Sequence, residues 1–387
     1  MTEKRTPTEI DRIAEGWVDS LCEMYPDMLI WLGRKGDTTK YGDLSPAGHE
    51  AYISVVKKTL AELNKTDAVD DTDRVTKADL SSNLELEVEL MEDAGWQFRD
   101  LNNIASPAQN IRDIFDLMPN ETVEDWEQIA GKLGNLPGAM DGYIDTLRAG
   151  IAKGIVPARR QVLEVLAQAE RHSAADGFFL EMAKNAKNDL SDGLKKELAA
   201  NAEKSREAYA NFAEFLKSEL ASSAIEQDGV GRDLYALHSR HFLGAKVDLD
   251  ETYEWGLGEL RRMVDEQESI AKRIAGGSVK EAVEALDNDP ARKIHGTKAL
   301  QEWMQNLSDT AVRELGKTHF DIPEQMRKLE CHIAPTKDGG IYYTGPSDDF
   351  SRAGRMWWSV PEGVTEFDTW RETTTRRKRH LGRRIRA

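Results

Sequence analysis

Two cysteines in 387 residues, Cys22 and Cys331, are too few for a disulfide framework or a four-thiolate zinc site. No apolar run approaches the length of a membrane span. The opening stretch MTEKRTPTEIDRIAEGW also lacks the apolar core of a secretory leader, so the expectation is a soluble, cytoplasmic protein. Several common chemistries lack their motifs. There is no Gly-x-Ser-x-Gly nucleophile elbow, no phosphate-cradling Gly-x4-Gly-Lys-Ser/Thr loop and no Gly-x-Gly-x-x-Gly dinucleotide fingerprint. The one His-Glu dipeptide, His49-Glu50, has Ile53 rather than histidine four residues after His49, so no His-Glu-x-x-His pair exists. It reads as a pair on a helix surface.

What is present suits a folded protein: 40% hydrophobic and 7% aromatic residues. The formal charge of −17 is unevenly spread. The final twelve residues, RRKRHLGRRIRA, carry seven basic and no acidic side chains, leaving −24 for residues 1–375. Such an acidic body repels nucleic acid and anionic membranes, so no specific nucleic-acid partner is expected. The oligomeric state is not readable from the sequence.

Residues 6–290 read as successive helices. Asp248 and Glu251 resemble a capping box ahead of a stripe of Leu249, Tyr253, Leu257, Leu260, Val264 and Ile274, with a stop at Gly276-Gly277. A second stripe runs through Leu194, Leu198, Ala202, Tyr209, Phe212, Leu216 and Leu220. LELEVEL (84–90) alternates like a strand, but Leu and Glu favour a helix, and Leu80, Leu84, Val88 and Met91 suit a helix face. After residue 330 the texture turns to Gly, Pro and aromatics. Strands are expected near Ile341–Tyr343 and Met356–Val360, then a helix from Glu366 capped by Thr365. The expected fold is mainly α, a multi-helix array with a small β-hairpin or edge-strand element near residues 340–360. Its expected parts are a helical region (1–330), a strand and loop segment (331–375) and a basic tail (376–387).

The stretch YYTGPSDDFSRAGRMWWSVPEGVTEFDTWRETTT resembles the bacterial family catalogued as domain of unknown function 885. So do LECHIAPT, HFLGAKVDLDETYEWGLGEL and WLGRKGDTTKYGDLSPAGHEAY, so the likeness covers nearly all of residues 10–375. Ala353 departs from the proline of the family pattern. The resemblance implies a helical fold related to the gluzincin metallopeptidases. In complete members, a zinc-binding His-Glu-Gly-x-Pro-Gly-His-His helix follows the TEFDTWRETT-like segment, with the intervening Glu as general base. Here Thr375 is followed by Arg376-Arg377-Lys378-Arg379 instead. The expectation is therefore a truncated, inactive relative with no catalytic residue, no metal ligand and no cofactor in this chain; the alternative is a non-catalytic helical peptide- or partner-binding protein. The tail reads as the product of a frameshift or disrupted gene in preference to an electrostatic anchor.

By analogy with gluzincin-like enzymes, Met356–Val360 can present an edge strand to a peptide. Arg352 and Arg355 can hold a carboxylate, and Tyr342 or Tyr343 can donate to a reacting oxygen. Packing of these tyrosines and of Trp357 and Trp358 against helices is the plainer reading. His238 and His241, with Asp233, can share a helix face and hold a metal weakly, though solvated or packed histidines fit as well. His295, His319 and His332 are scattered, and Cys331 reads as buried and inert.

Overall fold

The computed structural model describes residues 5–187, 189–334 and 340–372. The last residues before Thr375 and the basic tail of 376–387 lie outside the described residues. The fold is mainly α, and the described residues form two compact units, one within 5–30 and 35–247, the other within 31–34 and 248–372.

The first unit contains α1 (Glu9–Met24), the start of α2 (Asp27–Leu32), α3 (Pro46–Lys65), α4 (Asp71–Val88), α5 (Pro107–Asp113), α6 (Val123–Lys153), α7 (Arg159–His172), α8 (Phe178–Lys184), α9 (Asp192–Phe215), α10 (Ala221–Ser223) and α11 (Arg232–Leu243). Its main core forms where α6 lies along α9. Leu133, Leu136, Met140, Tyr143 and Leu147 meet Leu198, Ala202, Tyr209, Phe212 and Leu216, each set spaced three or four residues apart so that one helix face is apolar. Pro137 inside α6 has no N–H to bond the Leu133 carbonyl, and the buried Ser205 hydroxyl of α9 donates to that oxygen at 2.8 Å. A smaller core joins Ile10 and Ile13 of α1, Val56 and Leu63 of α3, and Leu84 of α4. LELEVEL is helical, closing α4 and opening a wider turn at Glu89–Asp93.

Among the described residues two charged side chains of this unit, Asp73 and Lys132, are fully enclosed. Lys132 is 0% exposed and pairs with Asp27, donates to the Lys40 carbonyl at 2.7 Å and lies over the Tyr41 ring. Burial lowers the Lys132 pKa and raises that of Asp27, while their mutual attraction opposes both shifts. Nothing in the local sequence marks Lys132 as a core residue.

The second unit contains α12 (Leu249–Ala275), α13 (Val279–Asp287), β1 (Lys293–His295), α14 (Thr297–Thr318), β2 (Leu329–Ile333), β3 (Ile341–Thr344), β4 (Gly354–Trp358), β5 (Glu366–Asp368) and α15 (Thr369–Glu372). α12 runs from the Asp248 cap, whose carboxylate accepts from the N–H groups of Asp250 and Glu251, to left-handed Gly276. Its apolar stripe is largely uncovered: Tyr253 is 65% and Leu260 58% exposed, and only Ala271 of the helix is buried. The core of the unit is Leu300 and Met304 of α14 against Cys331, Val360 and Phe367.

The two units meet in the chain at Val247–Asp248, and α14 packs on β2 and β1 pairs with β5, binding residues 293–318 to the strand segment. Two sequence expectations are corrected. Glu366–Asp368 is a strand, not the first turn of a helix. Phe367 turns into the core opposite Ile294 on β1, while Glu366 and Asp368 both reach Lys293, at 3.2 and 2.6 Å. The helix begins only at Thr369. Secondly, the edge strand expected at Met356–Val360 is not one: its first residues belong to β4. β4 lies at the centre of a β2-β4-β3 sheet, parallel to β2 and antiparallel to β3.

Candidate functional site

Alternation along the three strands gives the sheet two unlike faces. Cys331, Ile333, Met356 and Trp358 point to the apolar side and pack with Leu300, Trp303 and Met304 of α14. Glu330, His332, Arg355, Trp357, Tyr342 and Thr344 share the other face, and the register sets them in two rows, Glu330–Arg355–Thr344 and His332–Trp357–Tyr342. In the second row Trp357 is stacked between His332 (centroids 4.8 Å apart, planes at 28°) and Tyr342 (6.0 Å, 13°). The Trp357 indole N–H donates to the Thr344 hydroxyl at 3.0 Å. All of these side chains are part-buried except Thr344, which is buried.

The first row is electrostatic. Arg355 Nε donates to Glu330 Oε2 at 3.2 Å, His332 Nε2 lies 3.2 Å from the same oxygen, and Lys328 Nζ reaches Glu330 Oε1 at 2.8 Å. Lys328 above all, with His332 and Arg355, holds the Glu330 carboxyl down to about 2 despite its partial burial. Arg355 thus grips a carboxylate of its own chain. Arg352 also faces the protein. Its guanidinium donates to the Trp31 carbonyl at 2.6 Å, and burial lowers its pKa. Beside it, Asp348 pairs with Arg34 at 2.6 Å and its N–H bonds the Leu32 carbonyl, so the 347–352 loop ties residues 31–34 into this unit. Gly33 belongs to that tie: its φ is +68°, and a Cβ there would stand 2.6 Å from the Ser347 Cβ. Tyr343 is half exposed at the rim of the apolar face.

The sheet has two outer edges. That of β2 is closed by α14: the Gln305 amide accepts from Cys331 N–H at 2.9 Å and donates to the Leu329 carbonyl at 2.7 Å, and Gln301 donates to the Cys331 carbonyl at 2.8 Å. Two glutamines there take the place of a neighbouring strand. On β3 the Gly340 carbonyl accepts from Ser359 N–H at 3.1 Å. By antiparallel alternation Tyr342 and Thr344 then face β4, while Ile341 and Tyr343 turn their backbone N–H and C=O groups to the open side. Among the described residues nothing pairs with that side.

The histidines that invite a metal are placed elsewhere. His238 and His241 stand on α11 of the first unit, and both line a cavity that also meets His49 of α3 and Glu87 of α4. Asp233 does not line it. His295 and His319 are exposed, and Cys331 is buried with its thiol pKa pushed up by burial. Among the described residues no three His, Cys, Asp or Glu side chains are grouped so as to hold a metal ion. These donors do not fit the zinc that the family likeness implies.

Comparison with known proteins accords with this architecture. The family model described as "Bacterial protein of unknown function (DUF885)" matches residues 26–376. The crystal structure of a candidate lipoprotein from Colwellia psychrerythraea is similar at TM-score 0.72 and 16% identity, covering 92% of this chain and 68% of that one. A candidate lipoprotein of unknown function from Shewanella oneidensis is similar at TM-score 0.56 and 13% identity, covering 93% of this chain and 66% of that one. The chain therefore spans about two thirds of the length of either structure, and at these identities the likeness shows the fold alone. No curated protein matches it. Among the described residues, no helix is long and apolar enough to cross a membrane.

Proposed function

Because the chain belongs to the bacterial family of unknown function DUF885, we propose that it is the peptide-holding part of a gluzincin-like hydrolase fold, and that it binds an extended peptide without cleaving it. The observation that carries this reading is the asymmetry of the sheet edges: β2 is sealed by Gln301 and Gln305, whereas β3 offers the outward backbone groups of Ile341 and Tyr343. An extended peptide adds to such an edge by main-chain hydrogen bonds, and its alternate side chains reach the two faces. On one side they would meet Tyr342 and the Trp357 stack, on the other Ile341 and Tyr343. Arg355 and Arg352, spent on Glu330 and Trp31, act as supports of this platform in preference to clamps on the ligand.

Hydrolysis is assigned to no residue here because the 387 residues contain no His-Glu-x-x-His pair. In a gluzincin-like hydrolase zinc would supply the Lewis acid, and that chemistry has no donor set among the described residues. The test is Tyr343→Pro. It deletes an edge donor that the ladder does not use, so the fold should persist. Anisotropy of fluorescein-labelled hexapeptides should show saturable binding to the native chain and binding at least about tenfold weaker to the variant, a loss of about 1.4 kcal/mol. Equal binding by both would overturn the edge assignment.

The uncovered stripe of α12 favours a second reading, in which a further segment, on this or another chain, covers Tyr253 and Leu260 and completes the catalytic site. Each large apolar side chain left in water forgoes roughly 1.5–3 kcal/mol. Under that reading, adding in trans a polypeptide that carries a His-Glu-x-x-His helix would produce peptide cleavage.

A further inference from the structure

The first unit holds a cavity of about 670 Å³, the size of a site for a small organic molecule. Its wall is rich in rings: Tyr25, Tyr52, Trp96 and Tyr143 line it, and Phe242, 83% exposed, stands among its lining residues. Two carboxyl groups, Glu87 and Asp100, line it as well, and among the described residues no Lys or Arg does.

Among the described residues no Lys or Arg side chain bonds to either carboxyl. Among the described residues the Asp100 carboxylate receives no hydrogen bond and no ion pair, and burial alone raises its pKa. Among the described residues Glu87 accepts from the Tyr52 hydroxyl alone, at 3.4 Å, and burial raises it too, opposed by the nearby His241. A third polar group lines the same space. His238 Nε2 is buried without a hydrogen-bond partner, its ring set edge-on to Trp96 at 4.2 Å, and desolvation makes this imidazole a poorer base.

Burying a polar group without a partner is costly, and here two part-buried carboxyls share one aromatic-walled space: among the described residues Asp100 has no partner, Glu87 has the Tyr52 hydroxyl, and neither meets a Lys or Arg. An anion would meet two like charges, with no Lys or Arg among the described lining residues to offset them. A neutral apolar guest would leave both carboxyls and His238 unmet. An ammonium group supplies what is missing: positive charge for Glu87 and Asp100, N–H donors for acceptors such as His238, and a cation to lie against the rings. We propose that this cavity is a binding site for an organic amine, its ammonium directed to Asp100 and Glu87 and its apolar body against the Tyr and Trp walls. This site lies in the other unit from the β3 edge and does not depend on the peptide reading.

The test uses the full chain and calorimetric titration with phenethylammonium, tyramine and choline as cations, 2-phenylethanol as the neutral match and phenylacetate as the anion. At least one cation should bind saturably, with the alcohol at least about tenfold weaker and phenylacetate not detected. Asp100→Asn, its fold checked by circular dichroism, should weaken the cation about tenfold or more and leave the alcohol unchanged. Ala105→Trp, at an exposed position on the lining, should block every probe by filling the space. The proposal is overturned if none of the three cations binds at millimolar concentration. It is equally overturned if the alcohol binds as tightly as the amines, or if Asp100→Asn and Ala105→Trp bind them as the native chain does.

Discussion

Asp100→Asn should stabilise the protein, and by an amount that grows with pH. Burial raises the Asp100 carboxyl from 3.8 to about 7. The folded chain therefore holds this proton more tightly than the unfolded chain. Stability from this group is greatest at low pH, falls as pH rises from about 4 to about 7, and is flat beyond. At about 1.4 kcal/mol per pH unit, the penalty is about 1 kcal/mol at pH 4.5 and about 4 kcal/mol at pH 8. Asparagine keeps the shape and carries no such penalty. The gap between variant and native chain should therefore widen by up to about 3 kcal/mol between those pH values, an upper bound because water can enter the cavity. Urea unfolding of both proteins at pH 4.5, 6 and 8, followed by tryptophan fluorescence, measures it, and titrations elsewhere in the chain cancel in the difference. A gap that stays constant with pH would refute the reasoning, as would one that narrows towards pH 8. Such a penalty, kept at a cavity wall, is what a site evolved for a cation would show.

Two further stability changes follow from the structure. Removing Asp27 alone, by Asp27→Ala, leaves Lys132 charged and enclosed and should cost about 3–5 kcal/mol in urea unfolding, whereas Asp27→Leu combined with Lys132→Met should recover most of that loss. Gly33→Ala places a methyl against Ser347 at a positive φ and should lower stability by about 1–3 kcal/mol, read as a lower melting temperature; an unshifted melt would count against the tie between residues 31–34 and the 347–352 loop.

The long helices were legible in the sequence because their evidence is local. The stripes of α9 and α12 repeat every three or four residues, and Gly276 ends α12 as an αL cap should. β3 and β4 announced themselves by aromatic and β-branched runs between turn residues. β1 and β5 did not, since a three-residue strand has too few positions to show alternation. Their partnership joins residues more than seventy apart. Glu366 and Asp368 carry the signature of a helix start, yet Lys293, far back in the chain, draws them into a strand.

The site followed the same division. Tyr342, Tyr343, Arg352 and Arg355 fall in one short segment and were visible there, but the partners that occupy the two arginines, Glu330 and Trp31, come from elsewhere. Only the spacing of His238 and His241 hinted at the cavity. Asp100, Glu87 and His49 reach it from separate helices and loops, and no motif links them. Uncompensated burial is a property of the assembled structure, and no residue pattern encodes it.

The central claim, peptide held but not cut, is tested most directly by mixing the purified chain and one equivalent of zinc with an isotope-labelled hexapeptide, then recovering the complex for mass spectrometry. The account predicts intact peptide in saturable, stoichiometric complex, with zinc not retained through gel filtration. Cleaved peptide together with tightly held zinc, or no complex with any hexapeptide tried, would contradict it.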